Sequence, residues 1–173
     1  MANRLLKFLF VHCSATKPKH GHTHKDIITW HEKEWGKGAI GYRTVIELDG
    51  KPVKLKAANI NNIVEQIEIT WGVKGFNSES HHICYIGGID NNTGMPADTR
   101  NQAQKDTMEE IIKFYIEKMS NDILIAPHYS EAVKACPSFH LPDWLESINI
   151  PSKNIYYKDK YNIGHYHKTG VWI

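Results

Sequence analysis

The 173-residue sequence is poor in cysteine, with three in all and no two close enough to form a CxxC pair. That argues against a zinc ribbon, a thioredoxin-type redox pair and a disulfide-stapled scaffold, since an odd count leaves at least one thiol unpaired. It fits a chain made in a reducing compartment. No apolar run is long enough to cross a bilayer. The opening MANRLLKFLFVHCSATK is short, is broken by Lys7 and has no convincing signal-peptide cleavage pattern, so it reads as a first strand. Charge of either sign is not in excess: 21 basic against 19 acidic residues leave a formal +2. A duplex nucleic-acid binder would show a concentrated basic face, so none is expected here. Internal repeats are absent as well.

What is present is an ordinary globular composition, 41% hydrophobic and 23% charged, at a length suited to one domain with a full core. Eleven histidines stand out. They raise the expectation of a metal or acid–base site, although surface histidines are the common case.

Hydrophobic periodicity orders the chain. Leu5 to His12 reads as a mostly buried strand. KDIITWHEKEW reads as a helix entered through a Thr23–Asp26 capping box, with Ile27, Ile28, Trp30 and Trp35 as its apolar face and His31 at the margin. GYRTVIELDGKPVKL reads as a hairpin turning at Asp49-Gly50, with Tyr42, Thr44, Ile46 and Leu48 on one face. HHICYIGGID reads as a central strand. A helix over Gln102–Met119, capped by Thr99 and Gln102, carries an apolar stripe of Met108, Ile111, Ile112, Tyr115, Ile116 and Met119. Ile123–Ala126 is a short strand closed by Pro127, and Pro142 opens a short helix. The order favours an α/β single domain with a central mixed sheet flanked by helices. Residues 1–150 form the expected catalytic domain. Residues 151–173, rich in tyrosine and lysine and including Trp172, form an aromatic basic extension expected to pack back on it.

Three possible metal donors share a setting. His12 ends the first strand, His128 follows the last, and Cys136 lies in the loop beyond. Open α/β sheets place sites at such strand ends. Two imidazoles and a thiolate suit zinc and leave a fourth position open, as a catalytic site requires. Each residue alone has a plainer reading: a buried thiol, a loop histidine, a histidine at a sheet edge. Spacing does not join His12 to the others. Were the site real, Lys134 could face a developing oxyanion, and Tyr42 could hold water or intermediate by hydrogen bonding. Solvent lysine and strand tyrosine are the alternatives.

FLFVHCSATKP, ITWHEKEWGKGAIGYRTVIELDG, VKGFN, YIGGIDNNTG and HYSEAVKACPSF, in this order, resemble the zinc-dependent N-acetylmuramoyl-L-alanine amidases. The likeness is to the small T7 lysozyme-type phage endolysins, in one superfamily with the peptidoglycan recognition proteins, and runs from about Phe8 to Trp144. The resemblance implies a mixed sheet flanked by helices and one zinc ion (Zn2+) held by His12, His128 and Cys136. It implies Tyr42 and Lys134 as catalytic residues, and hydrolysis of the bond between N-acetylmuramic acid and L-alanine. A non-catalytic muropeptide-binding module and a cytoplasmic recycling amidase are the alternatives. The expected partner is bacterial peptidoglycan or muropeptides, met by a monomer made in the bacterial cytoplasm without membrane insertion. Trp71 or Phe76 could contact sugar faces or pack in the core. One departure stands out: Gly72 lies where this type carries a histidine before its KGYN segment. His81 and His82 sit a few residues later and are not simply its replacement.

Overall fold

The computed structural model describes residues 4–170; Trp172 of the aromatic tail lies outside them. A five-stranded mixed sheet forms the centre. Its strands are β2 (Phe8–Cys13), β3 (Thr44–Ile46), β4 (Pro52–Lys54), β6 (Ser80–Tyr85) and β7 (Leu124–Pro127), in the order β4-β3-β6-β2-β7. Only β4 runs antiparallel, through the hairpin at Asp49-Gly50. A separate antiparallel pair joins β1 (Arg4–Leu5) to β5 (Ile63–Val64). The helices are α1 (His24–Trp35), α2 (Gln102–Phe114), α3 (Leu141–Ser147) and α4 (Ile163–Thr169). This is the α/β architecture that the alternation of elements predicts.

The strands β2 and β6 are buried along their whole length, as parallel strands covered on both sides must be. Alternation sends Leu9, Val11 and Cys13 to one face, where Met108, Ile112, Tyr115 and Met119 cover them with Ile83 and Tyr85. This is the stripe expected for α2, which continues through a π-helical turn over Tyr115–Met119. Phe8 and Phe10 face the other way and meet Val73 and Phe76. Phe76 is therefore a packing residue, T-shaped against Phe8 at 5.4 Å.

Three local expectations are corrected. The N-cap of α2 is Asn101, paired with Gln104, because Thr99 Oγ1 is already engaged by the Gly88 amide at 2.7 Å. Of the apolar face expected for α1, only Ile27 is buried. Trp30 and Trp35 are 40% and 36% exposed. The helix covers only the Val45, Cys84 and Ile86 part of the sheet, and its tryptophans lie beyond that contact. Nor do Tyr42 and Ile46 share a face. The chain bends at Gly41 and Arg43, directly before β3, and the Arg43 carbonyl accepts from two successive amides, Leu55 and Lys56, at 2.8 and 3.3 Å. Strand alternation holds only over Thr44–Ile46, so Tyr42 and Leu48 lie with Val45, and Ile46 faces the other way.

Residues 151–170 return along the outer edge of β7. Ile155 bridges Ile125, the Tyr156 amide donates to the Ile125 carbonyl at 3.0 Å, and Tyr156 lies edge-on to Phe8. An edge strand covered this way is closed to pairing with another chain. Among the described residues, no helix is long and apolar enough to cross a membrane.

Candidate metal centre

The parallel register of β2 and β7 brings together residues far apart in sequence. Val11 pairs with Pro127, so His12 and His128, the next residues, emerge side by side at the carboxyl end of the sheet. Their Nδ1 atoms are 3.1 Å apart, across 116 positions of chain. The loop after β7 then folds back, with the Tyr129 amide donating to the Cys136 carbonyl at 3.0 Å. This sets Cys136 Sγ 3.5 Å from His12 Nδ1. A donor atom from each of the three residues falls within one 4.8 Å cluster, and the group could hold a metal ion.

The electrostatics suit that use. Burial holds His12 well below the usual histidine range, and the neighbouring histidines and the Lys134 ammonium push the same way. His128 is lowered to about 4, by burial and then by Lys134. Both imidazoles are therefore neutral at pH 7, the form that donates a lone pair. Burial pushes the Cys136 thiol up, so a bound cation would have to displace its proton.

Tyr42 and Lys134 occupy different surroundings. The kink before β3 turns the Tyr42 ring over His12, 4.9 Å between centroids, with His31 on its other side at 5.1 Å. Burial and the nearby thiols raise its phenol well above the usual tyrosine range, so it keeps its proton. Lys134 is exposed, and among the described residues its ammonium makes no ion pair or hydrogen bond. Its charge is nonetheless felt at both His12 and His128. His140, read as a loop residue, caps α3 through a 3.4 Å bond from the Asp143 amide.

Sequence reasoning left out a second layer. His12 Nε2 lies 3.1 Å from His82 Nδ1, and His82 Nε2 lies 2.9 Å from Ser80 Oγ. The signal was the His81–His82 pair in a strand. Alternation must send one to each face, and the Phe10–His82 pairing sends His82 toward His12. Burial lowers His82 to about 3. Around the centre stand exposed aromatics. Trp35 stacks on His31 at 4.7 Å, and Trp71, 51% exposed, lies 6.1 Å from Trp35. A cleft of about 470 Å³ opens from Ser14 and is lined in part by Lys17, His22 and Trp30.

No protein-family model matches the chain. The endolysin of Escherichia phage T7 is 34% identical over 142 residues, 82% of this chain and 87% of that protein. Among solved structures, Apis mellifera PGRP-SA superposes with a TM-score of 0.63 at 16% identity, covering 88% of this chain and 86% of its own. The N-acetylmuramoyl-L-alanine amidase LysC of Clostridium intestinale gives 0.60 at 13% identity, covering 87% and 92%. The solved structures share the fold, and the T7 relative shares the sequence over most of both chains. Sharing its fold with PGRP-SA and LysC and its sequence with the T7 relative, the chain belongs to the T7-type phage endolysins.

Proposed function

We propose that the chain is a phage endolysin that hydrolyses the amide between N-acetylmuramic acid and L-alanine in bacterial peptidoglycan, with one zinc ion held by His12, His128 and Cys136. The convergence of those three donors beside Tyr42 carries the reading. Two imidazole nitrogens and one sulfur fit zinc by donor type, and three protein ligands leave a position open for reaction. When bound, the ion would polarise the scissile carbonyl and activate water for attack on it.

The chain's own groups supply the rest. Tyr42 holds its proton and donates from Oη to the attacking oxygen or to the oxyanion that forms. Lys134 Nζ, unpaired among the described residues, meets the negative charge that builds on the carbonyl oxygen as the new C–O bond forms. The C–N bond then breaks, and the L-alanine nitrogen leaves as an amine carrying the proton that the attacking water gives up. Trp35 and Trp71 offer exposed ring faces on which sugars of the glycan strand would stack. Residues 1–150 are the catalytic unit in this scheme, and 151–170 brace the β7 edge and the Cys136 loop, where His167 Nε2 donates to the Ala135 carbonyl at 2.6 Å.

The test is zinc content of the purified chain together with release of free L-alanine amino termini from purified peptidoglycan. Bound zinc without amine release would make the protein a muropeptide-binding module instead. Release from small soluble muropeptides but not from intact sacculi would point to a recycling amidase.

A further inference from the structure

We infer that His82, backed by Ser80, is a positioning residue that fixes the tautomer of His12 and so keeps His12 Nδ1 bare for a metal ion. The inference rests on the zinc site proposed for His12, His128 and Cys136.

The proton assignments follow from one end of a hydrogen-bonded chain. The Phe76 carbonyl can only accept, so Ser80 Oγ, 2.8 Å away, spends its single proton there. Ser80 Oγ can then only accept from His82 Nε2 at 2.9 Å, which must carry the proton. A neutral imidazole has one N–H, so His82 Nδ1 is a bare lone pair. It lies 3.1 Å from His12 Nε2, which must therefore donate. His12 Nδ1 is left bare, and it is the atom turned toward His128 Nδ1 and Cys136 Sγ. A metal-binding histidine is commonly oriented in this way, through a hydrogen bond from its other nitrogen. His82 itself is no fourth donor here, because its Nδ1 is engaged on the far side of the His12 ring.

Two contacts lock the His82 ring in place. It stacks on Phe10, 5.6 Å between centroids and 13° from parallel. Its other neighbour is Gly72. A Cβ built there would fall into the imidazole, 2.7 Å from Cε1 and closer still to Nδ1 and Cγ. The departure at Gly72 thereby acquires a physical account. The space a side chain at 72 would enter is taken by an imidazole delivered from β6, and glycine is what leaves room for it.

Leucine and asparagine have nearly the same shape, but only asparagine can set an oxygen acceptor close to the place of His82 Nδ1. In the full-length protein, His82→Leu is expected to weaken zinc binding roughly 10- to 100-fold in chelator competition. His82→Asn should recover most of that loss. In the zinc-free wild type, 15N chemical shifts should show His12 protonated at Nε2 and bare at Nδ1. Ser80→Ala releases His82 to take either tautomer and should leave His12 a mixture. Equal zinc affinity in wild type, His82→Leu and His82→Asn would overturn the inference, as would a proton on His12 Nδ1 in the zinc-free wild type. A single unchanged tautomer in Ser80→Ala would overturn the part given to Ser80, and it remains measurable if His82→Leu does not fold. A wild type that binds no zinc would defeat the metal reading instead, while the 15N measurement would still decide the hydrogen-bonded chain.

Discussion

His81 should make the fold acid-sensitive in a way that one substitution removes. The residue is fully buried in β6, on the face opposite His82, where its Nδ1 lies 3.1 Å from Tyr115 Oη and 3.4 Å from Arg43 Nη1. Its Nε2 has no partner among the described residues. A second positive charge there would be desolvated and set beside a guanidinium. Burial first, and then Arg43, lower the group from 6.5 to about 3. A histidine with a depressed folded pKa binds its proton more tightly in the unfolded chain. Its contribution is therefore complete above pH 6.5 and lost as pH falls from 6.5 toward 3. At pH 5 the unfolded side chain is almost wholly protonated and the folded one almost wholly neutral. One and a half pH units then cost about 2 kcal/mol, rising to about 3 kcal/mol at pH 4. Glutamine fits the site without titrating. Urea unfolding of wild type and His81→Gln at pH 7 and pH 5 should show the wild type losing about 2 kcal/mol more than the variant over that interval. Equal losses would refute the claim that the fold holds His81 neutral.

Three further outcomes follow from the structure. Lys134→Ala should lower amine release from peptidoglycan by roughly 10²- to 10³-fold, the usual effect of losing one oxyanion donor, with zinc content unchanged because the residue is no ligand. Gly50→Ala should destabilise the fold by about 2 kcal/mol or more in urea titration, since φ is +85° and the added Cβ would stand 2.8 Å from the Ala103 carbonyl oxygen. Truncation after Ile150 should give insoluble or thermally weakened protein. It strips the β7 edge of Tyr156 and removes the buried Asn154 and Ile163. A soluble product with unchanged melting temperature and poor wall binding would instead assign the tail to substrate capture.

The sequence carried the elements well and their mutual placement poorly. Buried strands, the α2 stripe and the Asp49-Gly50 turn are local patterns that short-range periodicity expresses directly. The meeting of His12 with His128 depends on Val11 pairing with Pro127, a long-range register written nowhere in the spacing. Resemblance bridged that gap, because the quoted segments keep their order over most of the chain. It could not bridge the gap at Gly72. There the useful fact is which face of β6 points at His12, and that is settled only once β2 lies alongside. The Tyr42 kink and the outward tryptophans of α1 escaped for the same reason. Apolar periodicity reports that a face can be buried, while the extent of the sheet beneath decides how much of it is.

The proposed metal site and the acid sensitivity of the fold draw on neighbouring buried histidines. His12, His128 and His82 are each held neutral chiefly by burial, and His81 by burial with Arg43. Neutrality is what lets His12 and His128 offer lone pairs, and what lets His82 accept from His12. The same burial makes protonation of the unfolded chain the winning state as pH falls below 6.5. Cys136 works in the same direction from the other side. Its thiol is pushed up, so a cation that takes the thiolate releases a proton, and cation affinity must fall with falling pH. A bound cation, in turn, stabilises the folded state by mass action and resists acid to the extent that it stays bound. Mild acid should therefore strip part of the stabilisation that a chelator strips. The acid-unfolding midpoint of the zinc-free fold should lie at higher pH than that of the loaded protein, and a chelator should lower the free energy of unfolding more at pH 7.5 than at pH 5.5.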